Sequence, residues 1–332
     1  MVTVSILGAG FMGGAHAANY QALGDRVRVK TVCARSADRA AKVAATVGAE
    51  PSTDLDATIA DPEIDAVDVC LPTPLHRAIT VQALDAGKHV FLEKPIALTM
   101  ADADAVVDAA ARSGQILMVG LVLRFWPEYV ELQRRLAAGE LGGLCAVATH
   151  RLSPPADWAD WFADRTQSGG TPVDLLVHDF DQMNWLLGRP RRVFAREPTP
   201  GHVQAVVEYD GATGIAEGSM AMPRSYPFSS SIRVLGSEGV AEYAFSAAPA
   251  EDGGNIGASD SARGLRLYLS GGATVHVAVE SADPWGPEIA YFVDCVEHGR
   301  PPEQGTGEQA RDALAVSLAV NRSLESGRPE AV

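Results

Sequence analysis

Cysteine is scarce in this chain. There are four in 332 residues, at Cys33, Cys70, Cys145 and Cys295, far apart and without a CxxC or Cys/His spacing. This excludes a disulfide framework and gives no sign of a metal site, so none is expected; each thiol is expected to be a small buried hydrophobe within an apolar segment. Positive charge is also in short supply: 27 basic residues face 42 acidic ones, a net charge of −15. Such a surface repels a phosphate backbone and an anionic bilayer alike, so neither nucleic acid nor membrane is an expected partner. Long apolar runs are missing, and none reaches the roughly 18–20 residues of a spanning helix. The N-terminus enters Val2–Leu7 with no basic start and no cleavage site. A secretory signal is not expected, and the cytoplasm is the expected location.

What is present is an ordinary globular composition, 47% hydrophobic and 21% charged, at a length that suggests two domains. In the first 120 residues apolar runs of strand length (Val2–Leu7, Val27–Cys33, Ala66–Leu71, His89–Leu92, Ile116–Val119) alternate with Ala-rich helical stretches (Ala15–Leu23, Arg39–Val47, His76–Ala86, Ala101–Ser113). Strand–helix–strand at this spacing predicts a parallel sheet with crossover helices. Thr99 followed by Asp102 reads as a helix start, and Gly87 and Gly114 as helix stops. After Arg124 the texture changes. A helix over Pro127–Ala138, a strand over Cys145–Leu152, a Pro- and Trp-bearing loop over Ser153–Gly170 and a helix from about Pro172 to Leu187 are expected. Arg189-Pro190-Arg191-Arg192 reads as a solvated helix end. Alternating strands follow (Val203–Tyr209, Gly214–Ala221, Ser231–Leu235, Val240–Phe245, Leu265–Leu269, Thr274–Val279), as for an antiparallel sheet covered on one face. Gly253–Arg263 reads as a mobile loop, and helices over Pro287–His298 and Glu308–Ser326 close the chain.

Gly8-Ala9-Gly10-Phe11-Met12-Gly13 is a GxGxxG that follows the first strand at once and opens a helix. Gly8 permits the tight turn, Gly10 lets backbone approach a pyrophosphate, and Gly13 allows close helix–strand packing, with Phe11 and Met12 at the helix start. At the end of the second strand, Arg35 and Ser36 stand where a carboxylate would accept from an adenosine ribose. A guanidinium fork and a hydroxyl suit a 2′-phosphate, so NADP(H) is expected over NAD(H), with Asp38 near enough to keep NAD(H) open. Lys94 ends a strand at the carboxyl edge of the sheet, where it can polarise a substrate oxygen. Asp174 and His178 are spaced i, i+4, and one helix would put them on one face. An imidazole beside a lysine is biased to its neutral form and can take a hydroxyl proton. Eight histidines in an acid-rich chain produce several such pairs by chance, so the spacing alone carries little.

Val90-Phe91-Leu92-Glu93-Lys94-Pro95, the glycine loop, Leu71-Pro72-Thr73-Pro74-Leu75-His76 and Gly169-Gly170 with Asp174, His178, Asp179 and Asp181 together resemble the glucose–fructose oxidoreductase / inositol dehydrogenase (Gfo/Idh/MocA) family across essentially the whole chain. The resemblance implies an α/β fold: an N-terminal Rossmann doubly wound parallel sheet over 1–121, and a C-terminal α/β domain with a large, mostly antiparallel sheet over 122–332. The second domain would bind substrate and form a homodimer or homotetramer through its sheet. It further implies Lys94, His178 and Asp174 as catalytic residues, and Leu71, Pro72, Thr73 and His76 near the nicotinamide ribose. Arg124, His150, Trp161 and Arg165 are implied at the substrate. Glu93 is read either as orienting Lys94 or as satisfying backbone amides. Trp126-Pro127 reads as packing at the domain boundary.

The chain departs from the family pattern at three places. Leu152 stands where inositol dehydrogenases carry Asn in His-Arg-Asn, Gly120–Leu123 is apolar, and Thr171 replaces a third glycine. Recognition of a fully hydroxylated ring is expected to be weaker for that reason. The expected activity is NAD(P)-dependent hydride transfer to or from a secondary alcohol or ketone of a sugar, polyol or related small molecule. Two alternatives share the fold: a glycosidase that oxidises transiently on a tightly held NAD, and a silent nucleotide-sensing regulator. Lys94, Asp174 and His178 argue against the regulator. Arg35 and Ser36, with no further acid/base signal, argue against the glycosidase.

Overall fold

The computed structural model describes residues 1–156, 160–247, 263–279 and 283–332. Two compact units form, Met1–Phe125 with Asp283–Arg311 and Trp126–Ala282 with Asp312–Val332.

In the first unit, β1 (Val2–Leu7), β2 (Val27–Cys33), β3 (Glu50–Ser52), β4 (Ala66–Val69), β5 (His89–Leu92) and β6 (Leu117–Val119) pair in the order β3-β2-β1-β4-β5-β6. Every pairing is parallel. Helices α1 (Phe11–Ala22), α2 (Ala37–Val47), α3 (Leu55–Ala60), α4 (His76–Asp85) and α5 (Met100–Ser113) make the crossovers. The short β3 and α3 carry too little periodicity to be anticipated. The expected helix signals operate: Thr99 Oγ1 accepts the Asp102 amide at 3.1 Å and donates to its carboxylate at 2.8 Å, and Gly114 ends α5 at φ +68°. The strand order reverses between β1 and β4. In an open α/β sheet that switch point, beyond the carboxyl ends of the strands, is where ligands bind.

The second unit holds α6 (Pro127–Ala137), α7 (Arg165–Ser168), α8 (Gly170–Asp174), α9 (Val177–Leu187) and a nine-stranded sheet. Its strands are β7 (Leu144–Leu152), β8 (Pro190–Thr199), β9 (His202–Tyr209), β10 (Ala212–Ser219), β11 (Ser229–Gly236), β12 (Gly239–Ser246), β13 (Arg263–Leu269), β14 (Thr274–His276) and β15 (Glu330–Ala331). The order is β14-β13-β12-β11-β7-β10-β9-β8-β15, antiparallel throughout except for β7 beside β10. Side chains alternate between a buried face (Val147, Val203, Val207, Ala216, Val234) and an open one.

The chain returns to the first unit in α10 (Trp285–His298), and α11 (Gly307–Ser326) is the last helix. Ile289, Phe292 and Val293 of α10 join Val4, Ile6, Tyr20 and Phe91 in the first unit's core. Trp126 packs edge-on against Tyr129 and Phe245 within the second unit.

Several expectations are corrected here. Arg189–Arg192 is not a helix end: Pro190 opens the ten-residue β8, at a strand start where its missing N–H is tolerated. Arg192 pairs across the ladder with Glu208 at 2.9 Å, and Arg191 pairs with Asp210. The helix expected over Pro172–Leu187 is broken at Leu175–Leu176. Both of those amides donate to the Thr171 carbonyl, at 3.1 and 2.9 Å, and the longer loop of the second bond widens the turn. Cys145 is exposed, at the start of β7 where the register against β11 shifts, whereas Cys33 and Cys295 are buried. Of the loop expected over Gly253–Arg263, residues 253–262 lie outside the described residues, and Arg263 begins β13.

Candidate active site

The first unit gathers three loops at the carboxyl edge of its sheet. After β1, Gly8 takes φ +124°, and a Cβ there would lie 2.2 Å from the Cys70 carbonyl oxygen. A Cβ on Gly13 would lie 1.9 Å from the Gly8 carbonyl oxygen, so helix and loop touch only because neither position has a side chain. Gly10 meets nothing within 4 Å. Among the described residues no side chain caps α1 and no acid stands in its first turn, which leaves its leading amides directed outward. This cradle fits a dinucleotide pyrophosphate. Phe11 stands edge-on to Trp285 at 6.3 Å. Past β2, Arg35 and Ser36 are both exposed. The Ser36 hydroxyl accepts the Arg39 amide at 3.4 Å as the cap of α2, which leaves its own hydrogen to donate outward.

After β4 comes the segment Leu71, Pro72 and Thr73, with Thr73 buried. His76 does not face the cofactor edge as expected. It is 1% exposed, and its two ring nitrogens lie 2.7 Å from the carbonyls of Leu71 and Pro95. Burial holds it below the ordinary imidazole range, against those carbonyls. It lies between the loop after β4 and the loop after β5, donating from one nitrogen to one of these carbonyls, with both nitrogens turned into the protein.

The loop after β5 carries Glu93 and Lys94. Glu93 Oε2 accepts the Lys94 amide at 2.9 Å, and its other oxygen lies 3.3 Å from His16 Nε2. Gly120, at the end of β6, faces this carboxylate; a Cβ there would sit 3.3 Å from Glu93 Oε1. Arg124, expected at the substrate, is buried and donates to the Gln304 side chain at 2.8 Å.

In the second unit Gly169 and Gly170 take φ +75° and +72° in succession, and a Cβ on Gly169 would strike Val173 at 2.5 Å. Thr171 donates from its hydroxyl to the Gly201 carbonyl at 3.0 Å, a bond that a glycine could not make. This loop leads into α8 with Asp174, then across the break into α9 with His178. Asp174 and His178 therefore do not share one continuous helix face, and the i, i+4 argument no longer joins them. Along α9 itself the helical neighbour of His178 is Asp181, three residues on and 1% exposed. Trp161 stacks on Phe162 at 4.0 Å, and Arg165 pairs with Glu197 at 3.1 Å while lying over Gly170.

His150 faces the other way. On β7 it alternates with Arg151, and Arg151 is the residue directed at α9: its guanidinium holds Asp179 through Nε at 2.7 Å and Nη2 at 3.4 Å, with both side chains buried. His150 lies on the open face, where its Nδ1 is 2.8 Å from the Ser231 hydroxyl, and Leu152 shares that face by the same alternation. Arg151 was within reach of sequence reasoning, since a period of two puts only one of the pair on each face.

Both parts of the chain match known families. Residues 2–121 match an oxidoreductase family with an NAD-binding Rossmann fold, and residues 129–242 match the GFO/IDH/MocA C-terminal domain. The chain is 28% identical to scyllo-inositol 2-dehydrogenase (NAD(+)) of Bacillus subtilis strain 168, over 99% of this chain and 95% of that one. It is 28% identical to myo-inositol 2-dehydrogenase of Thermotoga maritima, over 98% and 97% of the two chains. Among solved structures, GenD2 from gentamicin A biosynthesis, in complex with NAD, is 25% identical with a TM-score of 0.84, covering 100% of this chain and 96% of that one. With the glycine cradle after β1, Lys94 after β5 and both halves matched in order, the chain belongs to the GFO/IDH/MocA oxidoreductase family.

Proposed function

We propose that this protein is a dehydrogenase or reductase that interconverts a secondary alcohol and a ketone on a sugar, polyol or related small molecule, using NADP(H) in preference to NAD(H). The observation that carries the reading is the uncapped α1 N-terminus behind an open Gly10, in the same unit and at the same sheet edge as Lys94. A nicotinamide bound there supplies the hydride donor or acceptor. Gly8, Gly10 and Gly13 shape the cradle for the pyrophosphate, and the Arg35 guanidinium and Ser36 hydroxyl meet the 2′-phosphate. The Lys94 ammonium holds the reacting oxygen and favours its anionic form. His178 takes the hydroxyl proton in oxidation and returns it in reduction, and Asp174 binds a neighbouring hydroxyl or orients the imidazole.

The open face of the second unit's sheet supports a homodimer or homotetramer. It presents Val206, Ile215, Leu235 and Tyr268 at 40, 48, 45 and 37% exposure, more apolar surface than a solitary sheet face usually leaves to water. The cytoplasm is the proposed compartment, in keeping with four free thiols. No described helix is long and apolar enough to cross a membrane.

Titration with NADPH and NADH tests the cofactor reading directly. Trp285 is the only tryptophan within the first unit's residues. Its emission should be quenched by either reduced cofactor, with tighter binding of NADPH. Tighter binding of NADH overturns the reading of Arg35 and Ser36; no binding of either overturns the proposal. A panel of sugars and polyols with NADP+ then identifies the substrate by its absorbance change.

A further inference from the structure

Behind Lys94, on the face of the sheet covered by α1 and α10, lies a closed group of ionisable side chains that the proposed chemistry does not use. His16 of α1 is 0% exposed, with Nδ1 2.9 Å from Asp68 Oδ2 and Nε2 3.3 Å from Glu93 Oε1. The Cys70 thiol lies 3.2 Å from Asp68 Oδ1 and 3.3 Å from His16 Nδ1. The Phe91 ring stands edge-on to the imidazole at 5.4 Å and fixes its plane. Glu288 of α10 is 0% exposed, and neither of its carboxyl oxygens has a hydrogen-bond partner among the described residues.

We propose that His16 is a positioning residue for Lys94: it ties the Glu93 carboxylate to Asp68, and Glu93 in turn holds the Lys94 backbone amide. His16 Nδ1 is hydrogen-bonded to Asp68, whereas Nε2 approaches Glu93 Oε1 at 3.3 Å as an ionic contact without hydrogen-bond alignment, and the doubly protonated, cationic imidazole is the form that both carboxylates attract. Burial opposes that charge, but the Asp68 carboxylate and its hydrogen bond, together with Cys70, hold the imidazole well above its ordinary range. Glu288 faces Glu93 and Asp68 as well. Burial and those two neighbours raise its carboxyl well above the usual range, which favours its neutral form. His16 thus meets Asp68 and Cys70 from the β4 end, Tyr20 on its own helix, Glu93 from the loop after β5 and Glu288 from α10. In this setting it is the bridge between two anions. His16 on one side of Glu93 and the Gly120 backbone on another restrict the carboxylate. The Lys94 amide is thereby fixed, and with it the stem of the ammonium. Displacement of a reacting group by about 1 Å can cost about 10²-fold in rate.

This inference rests on the reading of Lys94 as the group that holds the reacting oxygen, and the test separates the two. The first measurement needs no substrate: 15N-labelled histidine in the wild-type protein at pH 8. Two protonated ring nitrogens at His16 support the bridge; a single protonated nitrogen overturns it. The second compares His16→Gln, Glu93→Gln, Glu93→Ala and Lys94→Ala in turnover of the best substrate and in NADPH affinity. His16→Gln should lower kcat about 10²-fold, leave the NADPH Kd within twofold and change the alkaline limb of the kcat profile. Glu93→Gln, which keeps an acceptor for the Lys94 amide, should retain more activity than Glu93→Ala. If Lys94→Ala is inactive while His16→Gln keeps the wild-type kcat and pH profile, the positioning role fails. If Lys94→Ala is itself active, the reading of Lys94 fails instead. Should His16→Gln not fold, the 15N measurement and the Glu93 pair still decide.

Discussion

Beneath Lys94 the supporting groups are a histidine, three carboxyl side chains and a thiol, all able to exchange protons. Beneath the start of α9, where His178 stands, the support is the Arg151 guanidinium clamped on Asp179. Both arrangements are buried, and each joins a helix to a strand or strand end within its own unit. They differ in what solution conditions can change. A guanidinium keeps its charge at any pH a protein survives, so the Arg151–Asp179 support is fixed once folded. The group behind Lys94 depends on His16 staying charged and Glu288 staying neutral, and so on pH. One site rests on a rigid clamp, and the other on a titratable one.

The comparison is tested most severely at the two catalytic candidates themselves. Lys94→Ala and His178→Asn should each lower kcat by on the order of 10²–10⁴-fold. Both should keep NADPH affinity, read by Trp285 quenching; undiminished turnover in either removes that residue from the chemistry.

Next in size is the clamp. Arg151→Ala leaves Asp179 charged and buried, and should cost about 3–5 kcal/mol in urea unfolding. Arg151→Met with Asp179→Leu, which removes both charges, should recover much of that loss. If the single variant unfolds at the wild-type midpoint, the clamp is not what holds α9.

The pH dependence sharpens the contrast. His16 and Glu288 both have folded pKa values above their unfolded ones, against ordinary values of 6.5 and 4.5. The stability each contributes is complete below its unfolded value and is lost as pH rises through its folded value. Unfolding of the first unit, followed at Trp285, should therefore become easier as pH is raised from mildly acidic to alkaline, and Glu288→Gln should flatten that slope. The contribution of the Arg151–Asp179 clamp should not follow this trend. A first unit whose stability rises with pH over that range would contradict the protonation states assigned to His16 and Glu288.

The smallest effect is expected at Ser36. Its hydroxyl caps α2, so Ser36→Ala should cost about 1 kcal/mol of stability with or without cofactor. If it also meets the 2′-phosphate, NADPH affinity should fall about tenfold, ~1.4 kcal/mol, with NADH affinity unchanged. Equal losses for both cofactors would leave the hydroxyl as a helix cap alone.

The legible parts of the site were those whose chemistry is written locally. The glycine loop could be read because Gly8 and Gly13 answer to contacts within a few residues or one strand away. The sheet edge at which Lys94 emerges could be read because the end of a strand run is marked locally in the sequence. His76 and His150 were misjudged for two different reasons. His76 sits in the right loop, but its nitrogens face carbonyls, one of them Pro95, that only the packed sheet edge brings within reach. His150 sits on the expected strand but on the face away from α9, and the facing of a strand is set by which side the helices cover. The helix break at Leu175–Leu176 was hidden because Leu-rich sequence fits an unbroken helix equally well.

The sequence by itself determined the alternation of strand and helix, the turn glycines, the helix caps and the sheet edge at which Lys94 emerges, because these follow from backbone sterics and short-range hydrogen bonding. Only the tertiary structure decided that Glu288, far along the chain, would enter the core beside Asp68 and Glu93, that His16 would lie between two carboxylates, and that Arg151 rather than His150 would face α9. Those outcomes depend on which surfaces are buried against each other. Burial is what turns an ordinary acid or imidazole into a group with a fixed protonation state and a mechanical role.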